Sequence, residues 1–126
     1  MLKARIAIAT VGVRDLKAAR KFYAETLGLQ PSDHQEEGTL SYRIGDSELL
    51  VYQSRFAGTN QATAVTWIVA DTEDAAAALS SKGVRFEHYD DLPETRRTGD
   101  IHFAGKLKLA WFKDPDGNIH SLVSSL

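Results

Sequence analysis

Residues 110–123 read AWFKDPDGNIHSLV, the pattern of a strand, a tight turn and a second strand. Ala110–Lys113 is an apolar and aromatic run of residues that favour strands. In Asp114–Asn118 the proline fixes φ, and the glycine and asparagine tolerate the positive φ that many turns need. Ile119–Val123 then returns as a strand, so this stretch predicts a β-hairpin.

The composition is that of an ordinary globular chain. Its 126 residues fit one domain, or two half-size modules that share one core. A net charge of -2 without long runs of like charge predicts no nucleic acid and no anionic membrane as partner. No stretch reaches the roughly 20 apolar residues of a membrane-spanning helix. The absence of cysteine excludes thiol catalysis and thiolate metal sites and fits the cytoplasm, where we expect the protein.

Upstream of the hairpin, the same order of elements occurs twice. The first half predicts a strand, a helix and three strands at residues 4–13, 15–29, 34–37, 39–44 and 48–53. The second half predicts a strand, a helix, a strand and the hairpin strands at residues 62–69, 71–81, 84–89, 107–113 and 119–124. Residues 90–106 are expected to connect them with little regular structure. Asp15 and Asp71 begin the two helices, so the halves form an internal repeat.

One βαβββ unit cannot bury both faces of its sheet, because its helix covers only one of them. We therefore predict a single α+β domain of two tandem βαβββ modules, at residues 1–57 and 62–126. Together they would form a curved mixed sheet with the helices on the outer face. The concave face of such a sheet is a natural place for a ligand.

Three groups of residues carry a resemblance to a known superfamily. They are Val13–Leu16 with Phe22, Tyr23 and Leu27–Leu29; Val69–Asp71 with Lys82–Val84; and Asp114–Asn118. In this order they resemble the vicinal oxygen chelate superfamily, which includes glyoxalases, extradiol dioxygenases, and fosfomycin and bleomycin resistance proteins. The resemblance implies the fold predicted above. It also implies a homodimer, which would cover exposed sheet edges.

The resemblance further indicates where a metal would bind. Metal-dependent members carry His or Gln on the first strand of each half and Glu on the last. In this chain the corresponding residues are Ile8, Leu50, Ala64 and Ser121. None offers the imidazole or carboxylate that such sites use, and a shift by one residue does not restore a ligand set. The sequence therefore predicts no catalytic metal and no cofactor.

Strand alternation predicts which side chains would line the concave face. The result is a mostly apolar hollow with a few hydroxyls, suited to an uncharged or aromatic small molecule. The predicted ligand-binding residues are Ile8, Thr10, Leu50, Tyr52, Ala64, Thr66, Ser121 and, from the long connection, His102. The alternative is that these side chains fill the hollow and leave no pocket.

Other residues have a structural and a functional interpretation. Trp67 is expected on the helix-covered face, and His120 on the side opposite Ser121, toward the helix or the solvent. His34 and His88 are expected at the surface. Either face of residues 107–113 could be the concave one, and Tyr42 could line the hollow or fill the core. The adjacent arginines at 96 and 97 could clamp an acidic ligand or be solvated.

Three functions follow from this sequence. The first is metal-free binding of a small molecule by a protein of the glyoxalase and bleomycin resistance type. The second is a metal-dependent lyase or dioxygenase with a displaced site that uses His102, His120 or Glu48, so catalysis stays open. The third is an interaction module with a filled concave face.

Overall fold

The computed structural model describes all 126 residues. Contacts divide the chain into two compact units, Met1–Asn60 with Pro115–Asn118 and Gln61–Asp114 with Ile119–Leu126. Each unit contains a mixed sheet and a helix, and the predicted α+β class is confirmed. None of the helices has the length and apolar character needed to cross a membrane.

The first unit has a four-stranded sheet in the order β1-β4-β3-β2. Its elements are β1 (Ala9–Val13), α1 (Leu16–Arg20), a π-helical segment (Lys21–Thr26), β2 (Gln30–Pro31), β3 (Thr39–Ile44) and β4 (Ser47–Gln53). β1 runs parallel to β4, and the other pairs are antiparallel.

The second unit has a six-stranded sheet in the order β5-β10-β9-β8-β7, with β6 also paired to β9. Its elements are β5 (Thr63–Ile68), α2 (Thr72–Ser80), β6 (Phe86–Glu87), β7 (Thr95–Thr98), β8 (Ile101–Ala104), β9 (Leu107–Lys113) and β10 (Ile119–Ser125). β5 runs parallel to β10, as β1 does to β4. The two units therefore repeat the same arrangement of their first and last strands.

Both helices begin where the sequence predicts. The Asp15 carboxylate accepts hydrogen bonds from the backbone N–H groups of Lys17 and Ala18, at 2.9 and 3.3 Å. Asp71 accepts one from the Asp74 N–H at 3.1 Å. These bonds satisfy donors that the first turn of a helix leaves unpaired.

The prediction of a strand at residues 34–37 is wrong, because these residues form no strand. The Gln35 side chain takes the place of a pairing strand, since its amide donates to the Ser41 carbonyl at 2.8 Å and accepts from the Ser41 N–H at 3.1 Å. The edge strand is instead β2, which pairs with β3. Side-chain hydrogen bonds to a neighbouring backbone compete in this way with regular pairing.

The connection at residues 90–106 is also more regular than predicted. It contains the antiparallel hairpin of β7 and β8, and β8 continues the sheet by pairing with β9. Its strands have only four residues each, and those of β7 are all polar or charged, so β7 shows no apolar alternation. The first predicted strand is shorter than expected, since β1 begins at Ala9.

The core of each unit lies between its helix and one face of its sheet. In the first unit Val13, Leu49 and Val51 are almost fully buried, and Tyr42 joins them, with its ring 6.1 Å from that of Tyr23. In the second unit the core includes Val65, Ala110, Phe112, Leu122 and the small helix residue Ala76. Tyr42 thus belongs to the core, and Ala110 and Phe112 form the helix-covered side of β9.

Candidate functional site

The first unit presents Thr10, Leu50 and Tyr52 on the face of its sheet that its helix leaves open. Thr10 pairs with Leu50, and β4 alternates strictly, with Leu49 and Val51 buried beneath the helix. Leu50 is half-buried, while Tyr52 is 42 % exposed. Ile8 precedes β1, is 41 % exposed, and its carbonyl accepts a hydrogen bond from the Thr10 hydroxyl at 3.2 Å.

The second unit presents Thr66 and Ser121 on its own open face. The two residues are paired across β5 and β10, and the Ser121 hydroxyl donates to the Thr66 hydroxyl at 3.0 Å. Ser121 is buried, whereas Ala64 and Thr66 are exposed. The pairing register of β5 with β10 shifts at Ala64, because its two neighbours on β5 pair with consecutive residues of β10. Ala64 is therefore the extra residue of a β-bulge.

An aromatic cluster shares this open face. Trp111 pairs with Ser121 across β9 and β10, and its indole N–H donates to the Thr63 hydroxyl at 3.2 Å. The Trp111 ring meets His102 edge-on at 4.8 Å and Tyr89 edge-on at 5.2 Å. We call Tyr89, His102 and Trp111 the aromatic cluster. Such edge contacts place the positive rim of one ring against the negative face of another.

His102 is the most constrained member of the aromatic cluster. It is fully buried on β8 and pairs with Leu109 of β9, which places it on the same face as Trp111. Its Nε2 accepts a hydrogen bond from the Tyr89 backbone N–H at 3.0 Å. Burial lowers the pKa of His102, although the Leu109 backbone acts in the opposite direction. The ring is therefore neutral near pH 7, and its proton is on Nδ1.

The Nδ1 atom of His102 is buried and makes no hydrogen bond of acceptable geometry. The Leu109 backbone raises the pKa of His102 as a hydrogen-bonding group, so it offers this atom a partner outside ideal geometry. Buried polar groups without partners are rare, because each costs roughly 1–3 kcal/mol. This atom is accordingly the place on the aromatic cluster where a bound molecule gains most from a hydrogen-bond acceptor.

His120 lies on the opposite face of the same sheet. Its Nδ1 accepts a hydrogen bond from the Trp67 indole at 2.9 Å, and its ring stacks on Phe112 at 4.9 Å. Burial lowers the pKa of His120 to about 4, with the Asp114 carboxylate acting in the opposite direction. Since His102 and His120 lie on different faces, they do not form one displaced metal site.

The remaining histidines are at the surface, as predicted. His34 and His88 are each paired with a nearby carboxylate, at 3.0 and 2.8 Å. No group of three or more His, Cys, Asp or Glu side chains has the arrangement of a metal site.

The adjacent arginines do not act as a pair. The Arg97 guanidinium binds both oxygens of Asp90, at 2.7 and 2.9 Å. Arg96 lies over the ring of Phe103, 4.2 Å from its centre. Because neighbouring residues on a strand point to opposite faces, the two cations are separated and do not clamp one acidic group.

The sequence predicted Ser121 and Thr66 on the same concave face, left the face of Trp111 open, and did not single out Tyr89. Trp111 could have been found by counting outward from the Asp114–Asn118 turn, since hairpin register puts it opposite Ser121. Tyr89 carries no comparable signal. It follows β6 in a loop, and only the tertiary fold brings it to His102 and Trp111.

Comparison with known proteins gives a consistent family and fold. A model of the Glyoxalase/Bleomycin resistance protein/Dioxygenase superfamily matches residues 5–121. The chain is similar to a glyoxalase family protein from Enterococcus faecalis, with 22 % identity, a TM-score of 0.71, and coverage of 98 % of this chain and 100 % of that one. No curated protein sequence matches it significantly.

Two further structures share the fold. One is TnmS3, an antibiotic binding protein from Streptomyces sp. CB03234, with 21 % identity, a TM-score of 0.68, and coverage of 99 % and 100 % of the two chains. The other is the fosfomycin resistance protein FosX from Listeria monocytogenes, with 11 % identity, a TM-score of 0.71, and coverage of 99 % and 96 %. At these identities the similarity establishes the fold alone.

Proposed function

Because the chain belongs to the Glyoxalase/Bleomycin resistance protein/Dioxygenase superfamily, we propose that it binds a small, mostly apolar or aromatic molecule without a catalytic metal. The observation that carries this proposal is the aromatic cluster beside Ser121. By the family resemblance Ser121 stands at a metal-ligand position, and the surface beside it is aromatic and carries hydroxyls. Aromatic side chains favour planar apolar ligands through burial and edge or offset stacking.

The aromatic cluster adds one requirement to the ligand. His102 offers the Nδ1 proton as a hydrogen-bond donor, and its lowered pKa keeps the ring neutral. A ligand oxygen or nitrogen that accepts this bond removes the cost of an unpaired buried donor. Nδ1 is enclosed, so binding requires a small shift of the surrounding rings. The favoured ligand is therefore an aromatic molecule with an acceptor atom on its ring.

In the second unit, Ala64, Thr66 and Ser121 share the open face of the aromatic cluster and are proposed to contact its ligand. In the first unit, Ile8, Thr10, Leu50 and Tyr52 are proposed as a binding surface of that unit by itself. The chain shares its fold with an antibiotic binding protein, and binding of a small molecule is the role proposed here.

The test uses 2-naphthol as a planar probe with an acceptor oxygen, and cyclohexanol as a non-aromatic control. We expect 2-naphthol to raise the melting temperature and quench tryptophan fluorescence, because ligands stabilise the state they bind. The Trp111→Leu variant should lose at least about tenfold in affinity, a typical loss for a central aromatic contact. Phe56→Leu is the matched control, since Phe56 is 63 % exposed in a loop of the first unit.

The outcomes separate the three functions. Absence of any shift with 2-naphthol and a wider aromatic library would favour an interaction module with filled open faces. Metal analysis of protein purified without chelators addresses catalysis. Close to one equivalent of nickel, zinc, iron or manganese would overturn the metal-free proposal.

We also infer a homodimer in the cytoplasm. Each sheet ends in strands with an unpaired edge, β1 and β2 in one unit and β5 and β7 in the other, by the order of strands within each sheet. Exposed edges favour association unless they are covered. Light scattering at micromolar concentration should give twice the chain mass, and a single chain mass would reject the dimer.

A further inference from the structure

The first unit contains a cavity on the helix side of its sheet, away from its open face. It has a volume of about 250 Å³ and is lined by residues of α1, the π-helical segment, β2, β3 and the loop between β2 and β3. A water molecule occupies about 30 Å³ of liquid, so the space equals that of roughly eight waters. This is room for a ligand the size of benzoate.

The walls of this cavity are mostly apolar. Ala24, Pro31 and Leu40 contribute carbon surface, together with the ring of Tyr42. The Gln35 amide forms a rigid polar side of the cavity, because its oxygen and nitrogen are bound to the Ser41 backbone. A ligand in this space would thus be held largely by burial of its own apolar part.

Two hydrogen-bond donors of the lining are not used within the chain. The Arg20 guanidinium forms no ion pair, and the Tyr42 hydroxyl makes no hydrogen bond. Burial raises the pKa of Tyr42 and Arg20 acts in the opposite direction, so the cation is close enough to influence the phenol. No acidic side chain lines the cavity, which leaves it with one uncompensated positive charge.

We propose that this cavity binds a small monocarboxylate, with the carboxylate on Arg20 and Tyr42 and its apolar part against Ala24, Pro31 and Leu40. A planar guanidinium is suited to the two oxygens of a carboxylate, and the phenol adds a third donor. A phosphate fits less well, since a single cation among apolar walls does not compensate a doubly charged group.

The test is an NMR titration of the ¹⁵N-labelled full chain with benzoate, using benzyl alcohol and inorganic phosphate as comparison probes. We expect benzoate to shift the backbone amides of residues 40–42 and of the helix around Arg20. Arg20→Gln should weaken binding by about tenfold or more, and Tyr42→Phe by roughly fivefold, since bonds to a charged group are worth more than neutral ones. Benzyl alcohol and phosphate should bind at least tenfold more weakly.

Two control variants keep this proposal separate from the aromatic cluster. Arg43→Gln removes a neighbouring arginine that is already paired with Asp33 at 2.9 Å, so it should leave benzoate affinity unchanged. Trp111→Leu should also leave it unchanged, even if it abolishes binding of 2-naphthol. Benzoate binding that survives both Arg20→Gln and Tyr42→Phe, or no binding at tens of millimolar, would overturn the assignment.

Discussion

Acidification is expected to destabilise the fold through His120. The ring is enclosed by Phe112 and Trp67 and accepts the Trp67 indole proton on Nδ1. Its pKa is lowered from 6.5 to about 4, chiefly by burial. In the unfolded chain His120 is therefore protonated below about pH 6.5, whereas in the folded chain it is protonated only below about pH 4. The contribution of the neutral His120 to the free energy of unfolding is complete above about pH 6.5 and is lost as the pH decreases toward about 4.

The magnitude follows from the shift in pKa. One unit corresponds to about 1.4 kcal/mol, so the full effect approaches about 3 kcal/mol. Between pH 7 and pH 4.5 the loss is about 2 kcal/mol, since most of the titration lies in this window. With a urea dependence of about 1–3 kcal/mol per molar, the unfolding midpoint should fall by roughly 1–2 M.

The assay is urea unfolding at pH 7 and pH 4.5, followed by tryptophan fluorescence. His120→Gln is the matched variant, because its amide oxygen can accept the Trp67 proton but does not titrate. The difference between wild type and variant removes the contributions of His102 and of the carboxylates that do not interact with His120, and leaves those of His120 and its partner Asp114. If the variant does not fold, a direct NMR titration of His120 in the wild type measures its pKa and replaces the comparison. Equal pH dependence in both proteins, or a His120 pKa near 6.5, would refute the reasoning.

Two further predictions concern packing and hydrogen bonding, both measured as urea midpoints. Gly58→Ala should cost about 3 kcal/mol, because φ is +70° and the new Cβ would lie 1.8 Å from the Asp116 carbonyl oxygen. Gly45→Ala has φ +57° and open space, so about 1 kcal/mol is expected, and equal losses would contradict the clash. Thr72→Val should cost about 2 kcal/mol, since the buried Thr72 hydroxyl bonds a β9 carbonyl and Ser124. A loss below about 0.5 kcal/mol would show that these bonds contribute little.

Where the sequence predictions failed, the segment bonds to a neighbouring segment in a way that its own residue pattern does not show. The peptide at residues 34–37 has strand-compatible residues, but Gln35 bonds to Ser41 through its side chain and ends the pairing. The hairpin of β7 and β8 is stabilised by joining the edge of β9, which residues 90–106 cannot reveal by themselves. In both cases the partner lies close along the chain but outside the segment whose pattern was interpreted, so that segment alone did not reveal the pairing.

The sequence by itself determined the two helix starts at Asp15 and Asp71, the terminal hairpin, and the alternation of β4 and β5. These depend on neighbouring residues, through capping, turn conformation and the two-residue period of a strand. Only the tertiary structure decided which face of β9 is open, and that Tyr89 joins His102 and Trp111 there. It also decided that Arg20 and Tyr42 border one cavity. The physical reason is that a site forms where strands meet, and their register and packing are properties of the whole sheet.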